Sequence, residues 1–134
     1  MAASWLPDSN ILIAALNGEP AVLNRLAKLA PSRLRLSTIV LSELLAGAEN
    51  SRIPAKARAA VLQLTRHFEA LSYDTAAAQT YARIRAALER KGSPIGSMDM
   101  LIAAQALEQD LILVTDNERE LRRVPGLRIE NWRR

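Results

Sequence analysis

Leu111-Ile112-Leu113-Val114 is an unbroken apolar run closed by Thr115-Asp116-Asn117-Glu118. Such a run has no polar face to show water, so as a strand it needs cover on both sides, as a parallel strand between two layers of helices has. It is too short for a buried helix, and the segments around it carry the helical period instead. That one feature directs the chain toward an α/β architecture, because parallel strands need crossover connections and helices supply them.

The rest of the sequence fits that frame. Strands are expected over 3–6, 34–37, 70–73, 111–114 and 127–130, with Pro7 limiting the ladder of the first. Helices are expected over 11–16 behind Ser9 or Asn10 as cap, over 20–30 with Pro20 in the first turn, and over 39–48 behind Thr38. Further helices are expected over 55–68, over 76–90 behind Asp74 or Thr75, and over 98–109 behind Ser97. Thr115 to Glu118 has the spacing of a capping box opening a short helix. Gly92-Ser93-Pro94-Ile95-Gly96 is the clearest loop. With 134 residues, no repeat and no linker, 1–134 is expected to be a single domain, built as a three-layer α/β/α sandwich with a central parallel sheet of four to five strands.

Composition narrows the chemistry. There is no cysteine and one histidine, His67, which excludes a disulfide framework, a thiol nucleophile and a His- or Cys-built zinc centre. Chemistry must then come from carboxylates, hydroxyls, amides and bases. His67 lies on a helix with no partner in view and is read as a surface or packing residue. No run approaches a membrane span and no basic segment precedes an apolar one at the N-terminus, so a cytoplasmic location is expected. Eighteen basic side chains against 14 acidic ones leave +4, a balance that favours a polyanionic partner.

Ligands of open parallel sheets bind beyond the carboxyl ends of the strands. Asp8 follows the first strand and Asp116 the apolar one. Asp99 lies in the first turn of the helix behind the Gly-Ser-Pro loop. Each of the three, taken singly, is explained as a helix cap. Glu43 is not: it sits in the middle of Ile39-Val40-Leu41-Ser42-Glu43-Leu44-Leu45-Ala46-Gly47-Ala48, a helix apolar enough to be buried nearly all round, where a lone carboxylate must reach solvent or a partner. Carboxylates gathered at one strand edge call for a cation, and Mg²⁺ or Mn²⁺ suits oxygen ligands while asking for few protein groups. Such an ion supports phosphodiester hydrolysis. Setting four site acids aside leaves ten acids against 18 bases, a basic surface around an acidic pocket. Arg83, Arg85, Arg90 and Lys91 before the loop, and Arg119, Arg122 and Arg123 after Asp116, could as groups flank the pocket and meet phosphates, although any single arginine among them is better read as a solvated helix position.

The order and setting of these acids carry a resemblance. Asp8-Ser9-Asn10 with its apolar helix, Ser42-Glu43-Leu44 with Leu45-Ala46-Gly47-Ala48, Pro94-Ile95-Gly96 through Asp99-Met100-Leu101-Ile102-Ala103-Ala104, Val114-Thr115-Asp116-Asn117, and Val124-Pro125-Gly126-Leu127-Arg128-Ile129-Glu130-Asn131-Trp132 span nearly the whole chain. Together they resemble the PIN-domain proteins of the VapC type, the toxin half of type II toxin–antitoxin pairs. The resemblance implies a Mg²⁺- or Mn²⁺-dependent endoribonuclease in which Asp8 and Asp99 hold the ion, Glu43 positions a water or a second ion, and Asp116 completes the acidic cluster. Ser9 and Asn117 are implied as hydrogen-bonding supports. It further implies a VapB-type antitoxin that inserts a basic segment into the groove, a homodimer within a larger toxin–antitoxin assembly, and tRNA as substrate, the initiator tRNA anticodon loop first. Two positions depart from the family pattern: Pro7 stands where an apolar residue is usual, and Asp116-Asn117 leaves open which of the two faces the metal.

Other readings keep part of this picture. A PIN-like scaffold without catalysis, binding nucleic acid or protein, would use the same acids as caps, and a PIN nuclease could act on rRNA, mRNA or DNA instead. A helix-turn-helix DNA binder fits the charge but not the 111–114 strand or Glu43. A phosphoacceptor receiver domain would want a paired acid where this chain has Asp8-Ser9.

Overall fold

The computed structural model describes residues 3–134. Five strands, β1 (Trp5–Pro7), β2 (Arg35–Ser37), β3 (Glu69–Leu71), β4 (Ile112–Val114) and β5 (Ile129–Glu130), all pair in parallel. The helices are α1 (Ser9–Leu16), α2 (Pro20–Ala27), α3 (Thr38–Glu49), α4 (Pro54–Thr65), α5 (Thr75–Arg90), α6 (Ser97–Glu108) and α7 (Glu118–Leu121), with a 3-10 turn at Pro31–Arg33.

The strand number is as expected, but the single sheet is divided into two ladders. One runs in the order β1-β4-β5 and the other is β2-β3, joined by one bridge between Trp5 and Leu34. Pro7 explains the division. Asp8 N–H donates to the Val114 carbonyl at 2.9 Å, and the Ser4 carbonyl accepts from Ile112 N–H at 3.0 Å, so the even-numbered residues of this segment bond toward β4. Alternation then turns Trp5 and Pro7 toward β2, and Pro7 has no N–H to give there. β4 is buried at all three positions, as the apolar run demanded.

The core has two faces, separated by alternation in β1 and β4, while Leu34, just before β2, and Leu36 within it fall in different clusters. Leu6, Leu36 and Leu113 enter the larger cluster, with Val40 and Leu44 of α3, Ile84 and Leu88 of α5, Ile102 and Ala103 of α6 and Leu121 of α7. Leu34 and Val114, with partly buried Trp5, enter the smaller one, with Ile11 of α1, Val22 of α2 and Trp132. These are the two helical layers of the α/β/α sandwich, with the sheet between them. The buried polar atoms are paired: Ser37 Oγ donates to Gln105 Oε1 at 2.6 Å, and Gln105 Nε2 donates to the Leu71 carbonyl at 3.1 Å, tying α6 to the ends of both strands of the smaller ladder.

Several caps differ from expectation. Asp8, not Ser9 or Asn10, caps α1, its Oδ1 accepting from Ile11 N–H at 3.1 Å. Ser37 takes the place assigned to Thr38, and Gly96 that assigned to Ser97. The Thr115–Glu118 capping box does not form, because Thr115 Oγ1 accepts from Asn117 N–H at 3.0 Å and the helix starts only at Glu118. That two-residue turn is what lets Asn117 swing over the strand end.

Candidate active site

At the carboxyl edge of β1 and β4, Asp8, Ser9, Asn10, Glu43, Met98, Asp99 and Ile102 line a cleft of about 90 Å³. Each acid arrives by a different route. Asp8 is the residue directly after β1 and is pinned by its N–H bond to Val114 and by its cap bond to α1. Asp99 sits in the first turn of α6. Glu43 projects from the second turn of α3, where Ser9 Oγ donates to its Oε1 at 2.6 Å. α3 is less enclosed than its composition predicts: Ser42, Glu43, Ala46 and Gly47 are exposed, so Glu43 escapes the burial that a fully covered helix would have imposed.

Asn117 supplies the link to a residue that the sequence did not single out. Its Nδ2 donates to Asp99 Oδ2 at 3.0 Å and to Glu120 Oε2 at 2.8 Å, which brings Glu120 of α7 beside Asp99. The available signal was spacing, since Glu120 lies one helical turn after Asn117 and shares its face. Asp116 lies at the rim. Its Oδ2 accepts from Arg133 Nη1 at 2.7 Å, and its Oδ1 accepts from Asn10 Nδ2 at 3.5 Å. Of the pair left open by the sequence, Asn117 is the one that touches Asp99. His67 lies outside this region, exposed, and its Nε2 accepts from Arg66 Nε at 3.0 Å.

The electrostatics are those of crowded acids. Burial pushes the Asp8 carboxyl up from 3.8 to about 6, against the pull of the Thr115 hydroxyl and the Ile11 N–H, and the negative charges of Asp116 and Asp99 add to the rise. Asp99 is raised as well, mainly by burial and then by Glu120, Glu43 and Asp116, while its bond from Asn117 opposes them. Carboxylates held at a cost to their own ionisation are a mark of a functional site.

The donors fit a hard divalent cation: all are oxygens and all are acids that repel one another without one. Among the described residues no three His, Cys, Asp or Glu side chains converge closely enough to hold an ion by themselves. A divalent cation that keeps several waters needs only one or two protein carboxylates. Asp8 and Asp99 are the residues that would hold it.

Beside this cleft, and sharing Glu43 with it, an apolar groove of about 310 Å³ runs between α1, α3 and α4, lined by Ile13, Leu16, Leu44, Gly47, Ala57 and Val61 among others. On the other side, Arg123 Nη1 donates to the Pro94 carbonyl at 3.0 Å, joining the end of α7 to the loop before α6. Arg122 is drawn to Glu118 and Arg85 to Glu89, both on exposed surfaces. No helix among the described residues is long and apolar enough to cross a membrane.

Comparison with known proteins agrees with this fold. The PIN domain model matches residues 5–127. Over 128 residues the chain is 42% identical to the tRNA(fMet)-specific endonuclease VapC of Salmonella typhimurium, covering 96% of this chain and 97% of that protein. It is 33% identical to Ribonuclease VapC2 of Rickettsia felis, with the same coverage. The solved structure of DNA-bound VapBC from Salmonella typhimurium superposes with a TM-score of 0.91 at 40% identity, covering 98% of this chain and 99% of that one. A strand-edge cleft of mutually repelling carboxylates, set in a fold and sequence shared across nearly the whole chain, makes this protein a member of the PIN-domain family, in its VapC group.

Proposed function

We propose that the chain is the toxin of a type II toxin–antitoxin pair and acts as an endoribonuclease on initiator tRNA, cutting in the anticodon loop. The observation that carries the reading is the convergence of Asp8 and Asp99, one from the sheet edge and one from α6, into a single cleft where burial and neighbouring negative charge raise both carboxyls above their ordinary range. Dependence on a divalent metal goes with the family, and the all-oxygen donor set favours Mg²⁺, with Mn²⁺ as substitute. The bound ion supplies charge neutralisation at the scissile phosphate and lowers the barrier to forming hydroxide at neutral pH.

The chain's own residues do the rest. Asp8 and Asp99 hold the ion. Glu43, steadied by Ser9, orients the attacking water and accepts its proton. Asn117 fixes Asp99 and Glu120 in one arrangement, so the ligand set is formed before substrate binds. Asp116 adds negative field at the rim. Arg123, with the exposed arginines around it, faces the phosphodiester backbone.

The partner reading follows from the groove between α1, α3 and α4. It is apolar, exposes Ile13, and runs into the acidic cleft at Glu43. An amphipathic helix of a VapB-type antitoxin fits it, followed by a segment whose basic side chain reaches the acids. An action on tRNA goes with a cytoplasmic location.

The test is incubation of antitoxin-free protein with purified total tRNA, with Mg²⁺ or with EDTA, beside a folded Asp99→Ala variant. Discrete Mg²⁺-dependent fragments, absent from the variant, are expected, with one end mapping to the initiator anticodon loop. Fragments that persist in EDTA or in the variant overturn the site. Intact tRNA throughout, alongside cleavage of another RNA, overturns the substrate.

A further inference from the structure

Among the described residues, Arg133 is the one cation paired with any acid of the cleft. Each of its three guanidinium nitrogens makes one directed contact. Nη1 donates to Asp116 Oδ2 at 2.7 Å, Nε donates to Glu19 Oε1 at 3.2 Å and Nη2 donates to Glu19 Oε2 at 3.0 Å. The side chain therefore spans from the α1–α2 turn to the end of β4.

Both ends of this span are anchored. Glu19 follows Gly18, whose φ of +78° makes the turn, and Glu19 N–H donates to the Ala14 carbonyl at 3.0 Å. On the other side Arg133 N–H donates to Asn131 Oδ1 at 2.9 Å, Asn131 Nδ2 donates to Glu118 Oε2 at 3.1 Å, and Trp132 between them is buried. The guanidinium is thus delivered to Asp116 by a fixed backbone rather than by a free tail.

We propose that Arg133 is a positioning residue that withholds Asp116 from the divalent ion and so sets the cleft's affinity for it. The inference rests on the metal-dependent reading above. Asp116 neighbours Asp99 and Asp8 closely enough to act on both electrostatically, yet its carboxylate is turned to Arg133 and Asn10 instead. A further carboxylate without a cationic partner beside Asp8 and Asp99 would hold the ion more tightly, and would add repulsion toward an incoming phosphate. Pairing it with a half-exposed arginine keeps the ion exchangeable.

The readout is Mn²⁺ binding to metal-free protein in the absence of RNA, followed by the electron spin resonance signal of free Mn²⁺. Arg133→Ala removes one positive charge and frees Asp116, so binding should tighten by about fivefold, the effect of one unit charge on a dication at roughly 8 Å in high dielectric. Adding Asp116→Asn in that background should return the affinity to that of the native chain. Arg133→Lys keeps the charge but cannot make three directed contacts, and should fall between the two. A merely structural arginine would instead weaken binding when removed. Unchanged or weaker binding by a folded Arg133→Ala protein overturns the inference. Failure of the native chain to bind Mn²⁺ overturns the metal reading itself, and this inference with it.

Discussion

Ser9 Oγ donates to Glu43 Oε1 at 2.6 Å, joining the first turn of α1 to the second turn of α3 across the mouth of the cleft. Ser9 is adjacent to Asp8, so one short segment supplies the carboxylate proposed to hold the ion and also orients a second acid. Ser9→Ala leaves Glu43 on an exposed helix face with free rotamers. Cleavage should fall by about tenfold or more, the lower range for loss of a residue that orients a metal-site group, with folding unchanged. Full activity in single-turnover cleavage would show that Glu43 needs no such support.

Asp8 sets stability against function. Its proton is held more tightly in the folded chain, so between pH 3.8 and about 6 the folded state binds more protons than the unfolded one. Stability of the metal-free protein should therefore fall as pH rises through that window, and ion binding should weaken as pH drops through about 6, where the folded Asp8 takes up its proton. Asp8→Asn keeps a cap acceptor for Ile11 N–H and removes the buried charge. It should be more stable than the native chain at pH 7.5 by about 1–3 kcal/mol in metal-free denaturation, and inactive. A less stable variant contradicts the origin assigned to the shift.

Asn117 is the hinge between Asp99 and Glu120. Asn117→Ala should lower metal affinity or activity about 10- to 100-fold. Because the bond from Asn117 opposes the rise of Asp99, its loss should also move the acid limb of the pH–rate profile upward. A profile that does not move would mean that Asp99 is held by something else.

Gln105 belongs to the frame rather than the site. Gln105→Leu strands the Ser37 hydroxyl and the Leu71 carbonyl, and should cost about 1–3 kcal/mol in urea denaturation. Stability equal to that of the native chain would mean that water or repacking replaces both bonds.

Ile13 is 43% exposed at the lip of the apolar groove. Placing a charge there with Ile13→Asp should weaken capture of the antitoxin by at least about tenfold, or 1.4 kcal/mol, in a titration of the purified partners. Unaltered affinity would move the docking helix to another face.

Much of this was legible because it rests on local chemistry. The apolar run ending at Val114, the alternation of Leu34 to Ser37 and the loop before α6 each have one good physical solution, and the acids at their ends fall at the strand edge by topology. The caps were less legible: Asp8, Ser9 and Asn10 are all good cap residues, and only the bond of Asp8 N–H to β4 decides among them. Glu120 was hidden because its role depends on how Asn117 turns, which follows from the Thr115 turn rather than from any pattern along α7. The division of the sheet was hidden for a similar reason: Pro7 announces a missing donor, but which neighbour feels the loss depends on register.

Trp5 Nε1 and Trp132 Nε1 both donate to Glu130 Oε1, at 3.1 and 3.0 Å, and Arg25 lies 5.4 Å from the centre of the Trp132 ring. The first strand is therefore sealed by residues synthesised some 125 positions later. Until Trp132 has left the ribosome, the layer against Val22 and Val114 stays open, and Asp8 has no finished wall behind it.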